Sequence, residues 1–187
     1  MFVLTIVLAL LLAGFTLRFG TTGLQRLLDH RFAWAWAPPL AALAQVVGVC
    51  VPALRQPALL TTIALLMAFC YANRAQRGLL IAGCGAALNM IVMFANGGLM
   101  PVSPDQVLAS HGVPVVAGVQ VPLSKNIALY DDQAVLAFLG DRIVLPGLHH
   151  VAIWSLGDFV LIAGVTLFLF STMRGSHHAT LRSALAD

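Results

Sequence analysis

Charged residues are scarce in this sequence. Only 9% of its 187 residues are charged, whereas a soluble domain carries roughly 25%. Hydrophobic residues make up 60% of the chain, and the mean hydropathy is +0.93. So few polar groups cannot cover the surface of a soluble fold of this length. The composition therefore indicates an integral membrane protein.

Several functional motifs are also missing. The pI is about 9.1, but no dense Lys/Arg patch with interleaved aromatics occurs, which argues against a nucleic-acid partner. Cys50, Cys70 and Cys84 lie inside hydrophobic runs and show no metal-ligand or disulfide spacing. No nucleophile elbow, HExxH, P-loop or dinucleotide motif is found. We therefore expect no metal or cofactor, although a bound lipid or pigment is compatible with the sequence. The absence of these motifs also favours a protein that is not an enzyme.

Five hydrophobic runs predict an all-α membrane bundle of five transmembrane helices in a single domain. We interpret the first run as a spanning helix and not as a secretory signal peptide, because no basic residue precedes it. The expected helices cover residues 2–20, 34–54, 57–73, 78–96 and 148–173.

The basic residues of the connections predict the orientation, since arginine-rich connections face the cytoplasm. Two of the connections and the C-terminal tail 174–187 are arginine-rich, whereas the long connection 97–147 carries more acids than bases. We therefore expect the N-terminus and the long connection outside and the tail in the cytoplasm. The arginines concerned are Arg18, Arg26, Arg31, Arg74, Arg77, Arg174 and Arg182.

Two connections are expected to be structured. Residues 23–32 set leucines against arginines and histidine, which is typical of a short amphipathic helix on the inner membrane surface. The outer loop 97–147 is too long for a simple connector. Within it, capping signals predict helices over 104–110 and 131–139. Between them, the apolar and proline-interrupted segment 113–123 is expected to be extended or re-entrant.

Polar side chains inside the predicted helices are the first functional candidates. At about 1.5 Å per residue, Asp158 lies roughly 15 Å inside the last predicted helix. Asn89 and Gln45 fall at a similar depth, with Ser155 one turn from Asp158. An acid at that depth needs a partner. The layer is therefore either a proton, ion or substrate site, or a hydrogen-bonded layer that fixes helix packing.

The outer loop holds a second set of candidates. Its residues either line a ligand site or only end a helix and tie the loop down. Lys125 is the only lysine, and we expect it to pair with Asp141 or Asp132. Asp141 is expected at the surface and Asp158 within the membrane, so they are not expected to form one catalytic pair. The candidates are Asn96, Gly97, Gly98, Met100, Pro101, Lys125, Gly140 and Asp141.

Four short elements of the second half carry a resemblance to a known family. They are Asn96-Gly97-Gly98, Met100-Pro101, Leu139-Gly140-Asp141 and Ser155-Leu156-Gly157-Asp158. In this order, the chain resembles an uncharacterised family of bacterial multi-pass membrane proteins. The resemblance implies a setting in the bacterial inner membrane and supplies no reaction.

Two main hypotheses for the function follow. The first is a non-enzymatic integral membrane subunit or accessory protein that packs against other subunits of a larger complex, as its small size and short helices suggest. The alternative is a small-molecule, ion or proton binder or transporter built around Asp158, Asn89 and Gln45. A membrane enzyme that uses Asp158 or Asp141 on a lipid-linked substrate is a third.

Overall fold

The computed structural model describes residues 2–122, 124–145 and 153–174. These residues are mostly helical, with short strands in the connection between the fourth and last helices. The helices are α1 (Phe2–Leu28), α2 (Ala37–Cys50), α3 (Arg55–Ala72), α4 (Arg77–Ala95), α5 (Pro104–His111) and α6 (Leu156–Arg174). The strands are β1 (Met100–Val102), β2 (Asn126–Ala128), β3 (Ile143–Val144) and β4 (Ile153–Trp154). Strand β1 pairs with β2 in parallel, and β3 pairs with β4 antiparallel.

Four of these helices are long and apolar enough to cross a membrane, namely α1 from Ile6 onward, α3, α4 and α6. Helix α2 has 14 residues, or about 21 Å, which is short of a bilayer. Its length is limited because Pro38 and Pro39 occupy its first turn and Pro52 follows its end. The helical membrane fold is therefore present, while helix length alone supports four spans.

The first predicted helix, 2–20, matches the structure, whereas the predicted start of the last helix was wrong. Helix α1 is kinked at Gly20, with φ 65° and ψ −168°, which is where the first predicted helix ends. Its turns after the kink reach Leu28 and cover part of the predicted amphipathic segment 23–32. The last helix begins at Leu156 and not at 148, because Ile153 and Trp154 belong to β4. Residues 146–152 and the tail from 175 onward lie outside the described residues.

The connection between α4 and α6 forms a cap over one end of the helices, which we define as the described residues from 97 to 155. Its helix α5 covers the predicted segment 104–110. The second predicted cap helix, 131–139, was wrong. Only Ala137–Leu139 form a 3-10 turn there. Leu136 has a φ of 55°, which no continuing right-handed helix allows.

The four long apolar helices and α2 form a row. Helix α6 packs against α1 on one flank and α4 on the other, and α3 and then α2 follow on the far flank of α4. The cap side is the end where α4 ends and α6 begins. The arginine side is the opposite end, where α1, α3 and α6 end and α4 begins. Two asparagines stabilise these ends, as Asn73 bonds both backbone groups of Ala33 and Asn96 bonds both of Val135.

The central pair of the row, α4 and α6, is in backbone contact. A Cβ atom added at Gly85 would lie 2.4 Å from the backbone nitrogen of Leu161, and one at Gly164 would lie 2.2 Å from that of Ala82. Small residues let two helices approach this closely and gain packing energy inside a bilayer. The glycines of both helices are therefore required for the contact.

We expect Gly164→Ala to destabilise the protein by about 1–3 kcal/mol, because the added methyl group overlaps the α4 backbone. The measurement is unfolding in detergent by heat or denaturant. Gly14→Ala in α1 is the matched control, since a Cβ there meets no atom within 4 Å. Equal stability of the two variants would contradict the close α4–α6 contact.

Candidate functional site

The first turn of α6 is held by a capping box. Ser155 stands immediately before the helix, and its hydroxyl oxygen accepts the backbone N–H of Asp158 at 3.2 Å. In return, the Asp158 carboxylate accepts the backbone N–H of Ser155 at 3.2 Å. Two N–H groups that a helix start leaves unpaired are thus satisfied reciprocally. The position also brings the acid to the positive end of the helix dipole.

Helix α4 contributes the next member of the site. The Asn89 amide nitrogen donates to Asp158 Oδ1 at 2.8 Å, and its carbonyl oxygen accepts the Ser155 hydroxyl at 2.9 Å. Gly157 makes this possible, because a Cβ there would lie 2.2 Å from the Asn89 side-chain oxygen. The predicted contact of Asp158 with Asn89 and Ser155 is therefore present.

The cap adds an ammonium and a second carboxylate. Lys125 Nζ lies 3.2 Å from Asp141 Oδ1 and 3.6 Å from Asp158 Oδ2. Only 16% of the lysine side chain is exposed, and 2% and 7% of the two aspartates. Asn126 donates to the other oxygen of Asp141 at 2.7 Å. We call this group the lysine cluster, and it comprises Lys125, Asp141, Asp158, Asn89, Ser155 and Asn126.

Strand β1 aligns the two cap residues of the cluster. Its Met100 N–H donates to the Lys125 carbonyl at 2.9 Å, and its Pro101 carbonyl accepts the Asp141 N–H at 2.9 Å. Gly140 allows this approach, since a Cβ there would lie 2.7 Å from the Pro101 carbonyl oxygen. Because β1 directly follows α4, the cap and the helices form one connected unit around Lys125.

For both Lys125 and Asp141, burial shifts the pKa in one direction and the opposite charge of the ion-pair partner shifts it in the other. Burial lowers the pKa of Lys125, but the carboxylates of Asp141 and Asp158 outweigh it, so the pKa lies above its ordinary value. Burial, followed by the negative charge of Asp158, raises the pKa of Asp141 against the opposing effect of Lys125. With all three groups ionised, the cluster carries one uncompensated negative charge.

The expected position of Asp158 within its helix was wrong. The predicted layer assumed a helix from 148, whereas Asp158 lies in the first turn of a helix that begins at Leu156. Its partner Asn89 lies six residues before the end of α4, or about 9 Å below it. Helix α6 therefore begins below the end of α4, and the lysine cluster occupies the recess above its first turn.

Two further expectations are corrected. Asp141 and Asp158 are not separated, because both approach Lys125. Gln45 has no part in the described hydrogen bonds of the lysine cluster, and its helix α2 packs chiefly on α3. Gln45 lies inside α2, and the row order puts α3 between that helix and α4.

The other candidate residues of the cap have structural contacts. The Gly97 carbonyl accepts a hydrogen bond from Gln56, and a Cβ at Gly98 would overlap that glutamine. Asn96 bonds Val135, and Met100 is wholly buried in a core cluster with Val92 and Met93. These contacts connect the cap to α3 and α4.

A depression on the cap surface reaches the lysine cluster at Asp141. Its lining includes Pro101, Ser103 and Arg142, and its volume of about 10 Å³ has room for about one water molecule. The polar atoms of Asp158 and Asn89 bond one another, Ser155 and Lys125. The arrangement can therefore hold charge and protons.

Residue patterns could have identified more of this site. Ser155-Leu156-Gly157-Asp158 matches the sequence signal of a capping box, which correctly predicts a helix start at this point. Asn126 was missed altogether. Its role depends on the parallel pairing of β2 with β1, and no local sequence pattern indicates that pairing.

We expect Lys125→Met to destabilise the protein by about 3–5 kcal/mol, because it leaves two buried carboxylates without a cation. Denaturant unfolding in detergent measures the loss. Arg142→Gln is the matched control, since Arg142 pairs with Asp131 at the surface and an exposed pair contributes less than about 1 kcal/mol.

The double variant Lys125→Met/Asp141→Asn tests the cause of that loss. Removing one carboxylate lowers the uncompensated charge, so the double variant should recover part of the stability that Lys125→Met loses. If Lys125→Met is as stable as Arg142→Gln, or if the second change brings further loss, the ammonium does not neutralise the cluster.

Comparison with known proteins gives a family. The model of a family of unknown function, DUF5317, matches residues 29–170, a range that contains the whole lysine cluster. No curated protein and no solved structure matches the chain. The expected membership in an uncharacterised family is confirmed. The chain belongs to DUF5317.

Proposed function

We propose that the chain is a non-enzymatic integral membrane subunit or accessory protein of a larger bacterial inner-membrane complex. The observation that carries this proposal is the lysine cluster, whose charged and polar groups bond one another. Such a cluster fixes the position of the cap on the α4–α6 pair. The fixed cap then presents a rigid surface at one end of the membrane helices.

The exposed side chains of the cap support a partner at that surface. Val116 is 73% exposed and Phe138 66% exposed, and Val113, Val119 and Val135 are exposed as well. Neither Val116 nor Phe138 belongs to a candidate membrane span. Contiguous apolar patches outside the spans mark protein interaction sites, and the proposal takes these side chains as one such patch. The row of helices adds a second contact area, because α1 has α6 as its main neighbour.

The proposal includes five crossings of the membrane. Ala33 precedes α2 and bonds Asn73 on the arginine side. Gln56 follows α2 and bonds Gly97 on the cap side. The chain therefore passes from one end of the row to the other through α2. Residues 33–55 provide the length that α2 alone lacks.

The charges of the two ends support the orientation. Exposed arginines gather on the arginine side, whereas the cap contains acids as well as bases. The positive-inside rule then puts the arginine side and the C-terminus in the cytoplasm, with the N-terminus and the structured cap outside.

We expect cysteines at the two ends of α2 to be labelled from opposite sides of the membrane. Ala35→Cys and Ala53→Cys form a matched pair of exposed alanines, to be introduced after Cys50, Cys70 and Cys84 are replaced by serine. A membrane-impermeant maleimide applied to intact cells should label position 53 and spare position 35. Labelling of both or neither before lysis would mean that α2 does not cross.

Co-purification tests the function. The tagged full chain, extracted in mild detergent from its native host, should retain one partner membrane protein in constant stoichiometry. We expect Val116→Ser/Phe138→Ser to lose most of that partner while keeping its own unfolding temperature, because both side chains are surface residues of the cap. Asp132→Ser, an exposed cap change without loss of apolar area, is the control.

The second candidate function is a proton or small-cation binder at the lysine cluster. The uncompensated negative charge of the cluster and the raised pKa of Asp141 favour it. A chain that purifies alone and monodisperse in the co-purification experiment would contradict the subunit function. The binder would then be the favoured function. Lys125, Asp141 and Asp158 would form its site, and Gln45 would not belong to it.

A further inference from the structure

The arginine side carries a positive surface that the lysine cluster does not use. Arg31, Arg74 and Arg77 are exposed there. Among the described residues, the ion pairs join Lys125 to Asp141 and Asp158, and Arg142 to Asp131. No described carboxylate therefore pairs with these three arginines, and Asp29 is the one acid described on that side.

Aromatic side chains flank these arginines. The rings of Trp34 and Trp36 stack with centroids 5.7 Å apart, and both side chains are exposed. The Arg74 guanidinium lies 4.6 Å from the ring centroid of Tyr71, which is also exposed. We define the arginine patch as Arg31, Arg74, Arg77, Trp34, Trp36 and Tyr71.

The fold holds the patch together. The Asn73 side chain accepts the Ala33 N–H at 2.9 Å and donates to the Ala33 carbonyl at 2.8 Å. These two bonds fix the connection between α1 and α2 against the end of α3. Because Trp34 follows Ala33 and Arg74 follows Asn73, the two parts of the patch start from adjacent points of the backbone.

We propose that the arginine patch binds the headgroups of anionic phospholipids in the leaflet that it faces. A guanidinium binds a phosphate through two parallel hydrogen bonds. Basic groups at this level also attract acidic lipids electrostatically. The inference rests on the proposed membrane topology, which puts the patch at the headgroup level.

The aromatic side chains favour a lipid over an acidic soluble protein. Tryptophan and tyrosine are enriched at the membrane interface, where the ring contacts the acyl boundary and the polar atom stays hydrated. The exposed Trp34–Trp36 pair and Tyr71 match that level at the end of the membrane helices. An anionic lipid contacts both parts of the patch, because its phosphate meets arginine and its chain meets the rings.

Tryptophan quenching by brominated lipid tests the proposal on the full chain. The protein is reconstituted in phosphatidylcholine vesicles that contain about 10 mol% of brominated phosphatidylglycerol or brominated phosphatidylcholine. Trp34 and Trp36 report on the patch, since the third tryptophan, Trp154, is buried on the cap side. We expect phosphatidylglycerol to be at least about fivefold enriched beside them, as one arginine at the surface contributes about that factor.

Two double variants of equal charge provide the control. Arg31→Gln/Arg74→Gln should lower the preference for phosphatidylglycerol several-fold, with Arg77 left to contribute the remainder. Arg55→Gln/Arg142→Gln, which removes two arginines from the cap side, should keep it. Equal quenching by the two lipids in the wild-type chain would overturn the proposal, as would an undiminished preference in Arg31→Gln/Arg74→Gln.

Unfolding temperatures of both variants show whether the fold is retained, and raised salt should weaken the preference in the wild-type chain. Labelling at positions 35 and 53 reports on topology separately. A chain with the proposed topology and no lipid preference would overturn this inference alone, and an acidic protein would then be the partner to test for the patch. A chain with another topology would overturn the orientation first.

Discussion

The structure depends on one close approach of two backbones. Glycines on both α4 and α6 remove the side chains that would hold the helices apart, and the hydrogen bond from Asn89 to Asp158 needs the resulting distance. In a bilayer, helix association lacks the hydrophobic driving force that exists in water. Packing of small residues and interhelical hydrogen bonds replaces it, and this helix pair has both.

The lysine cluster extends that pair into the cap. A buried ion pair by itself is weak evidence for stability, because removing charges from water costs as much as their attraction returns. Its value here is geometric. One ammonium within reach of a carboxylate from α6 and a carboxylate from the cap allows few alternative positions of the cap. The cluster therefore specifies how the cap sits on the helices.

Much of the fold could be predicted from the sequence, and the reasons for the failures are physical. Hydrophobic runs predicted the helices, and Ser103 followed by Pro104 predicted the start of α5. The apolar run before Ser155 concealed the start of α6, because hydropathy does not distinguish a spanning helix from a buried strand such as β4. The capping signal at Ser155 and Asp158 was the better guide there.

The sequence predicted most residues of the candidate site but not which of them contact one another. Asp158, Asn89, Ser155, Lys125 and Asp141 stand out because polar groups are rare in this chain. That Asp141 and Asp158 share Lys125 follows from the pairing of β1 with β2 and the approach of α4 to α6. Both contacts join residues far apart in the sequence, so local patterns carry no information about them.

The order of the row has a consequence for biogenesis. Helix α6 is the last helix of the described chain, yet it lies between α1 and α4. During synthesis, α2 and α3 can pair as soon as both are made. Helix α1 lacks its main neighbour until α6 has been synthesised. In the proposed topology, the cap is translocated before α6 enters the membrane, so that α6 inserts into a gap that already contains Asn89 and lies beneath Lys125.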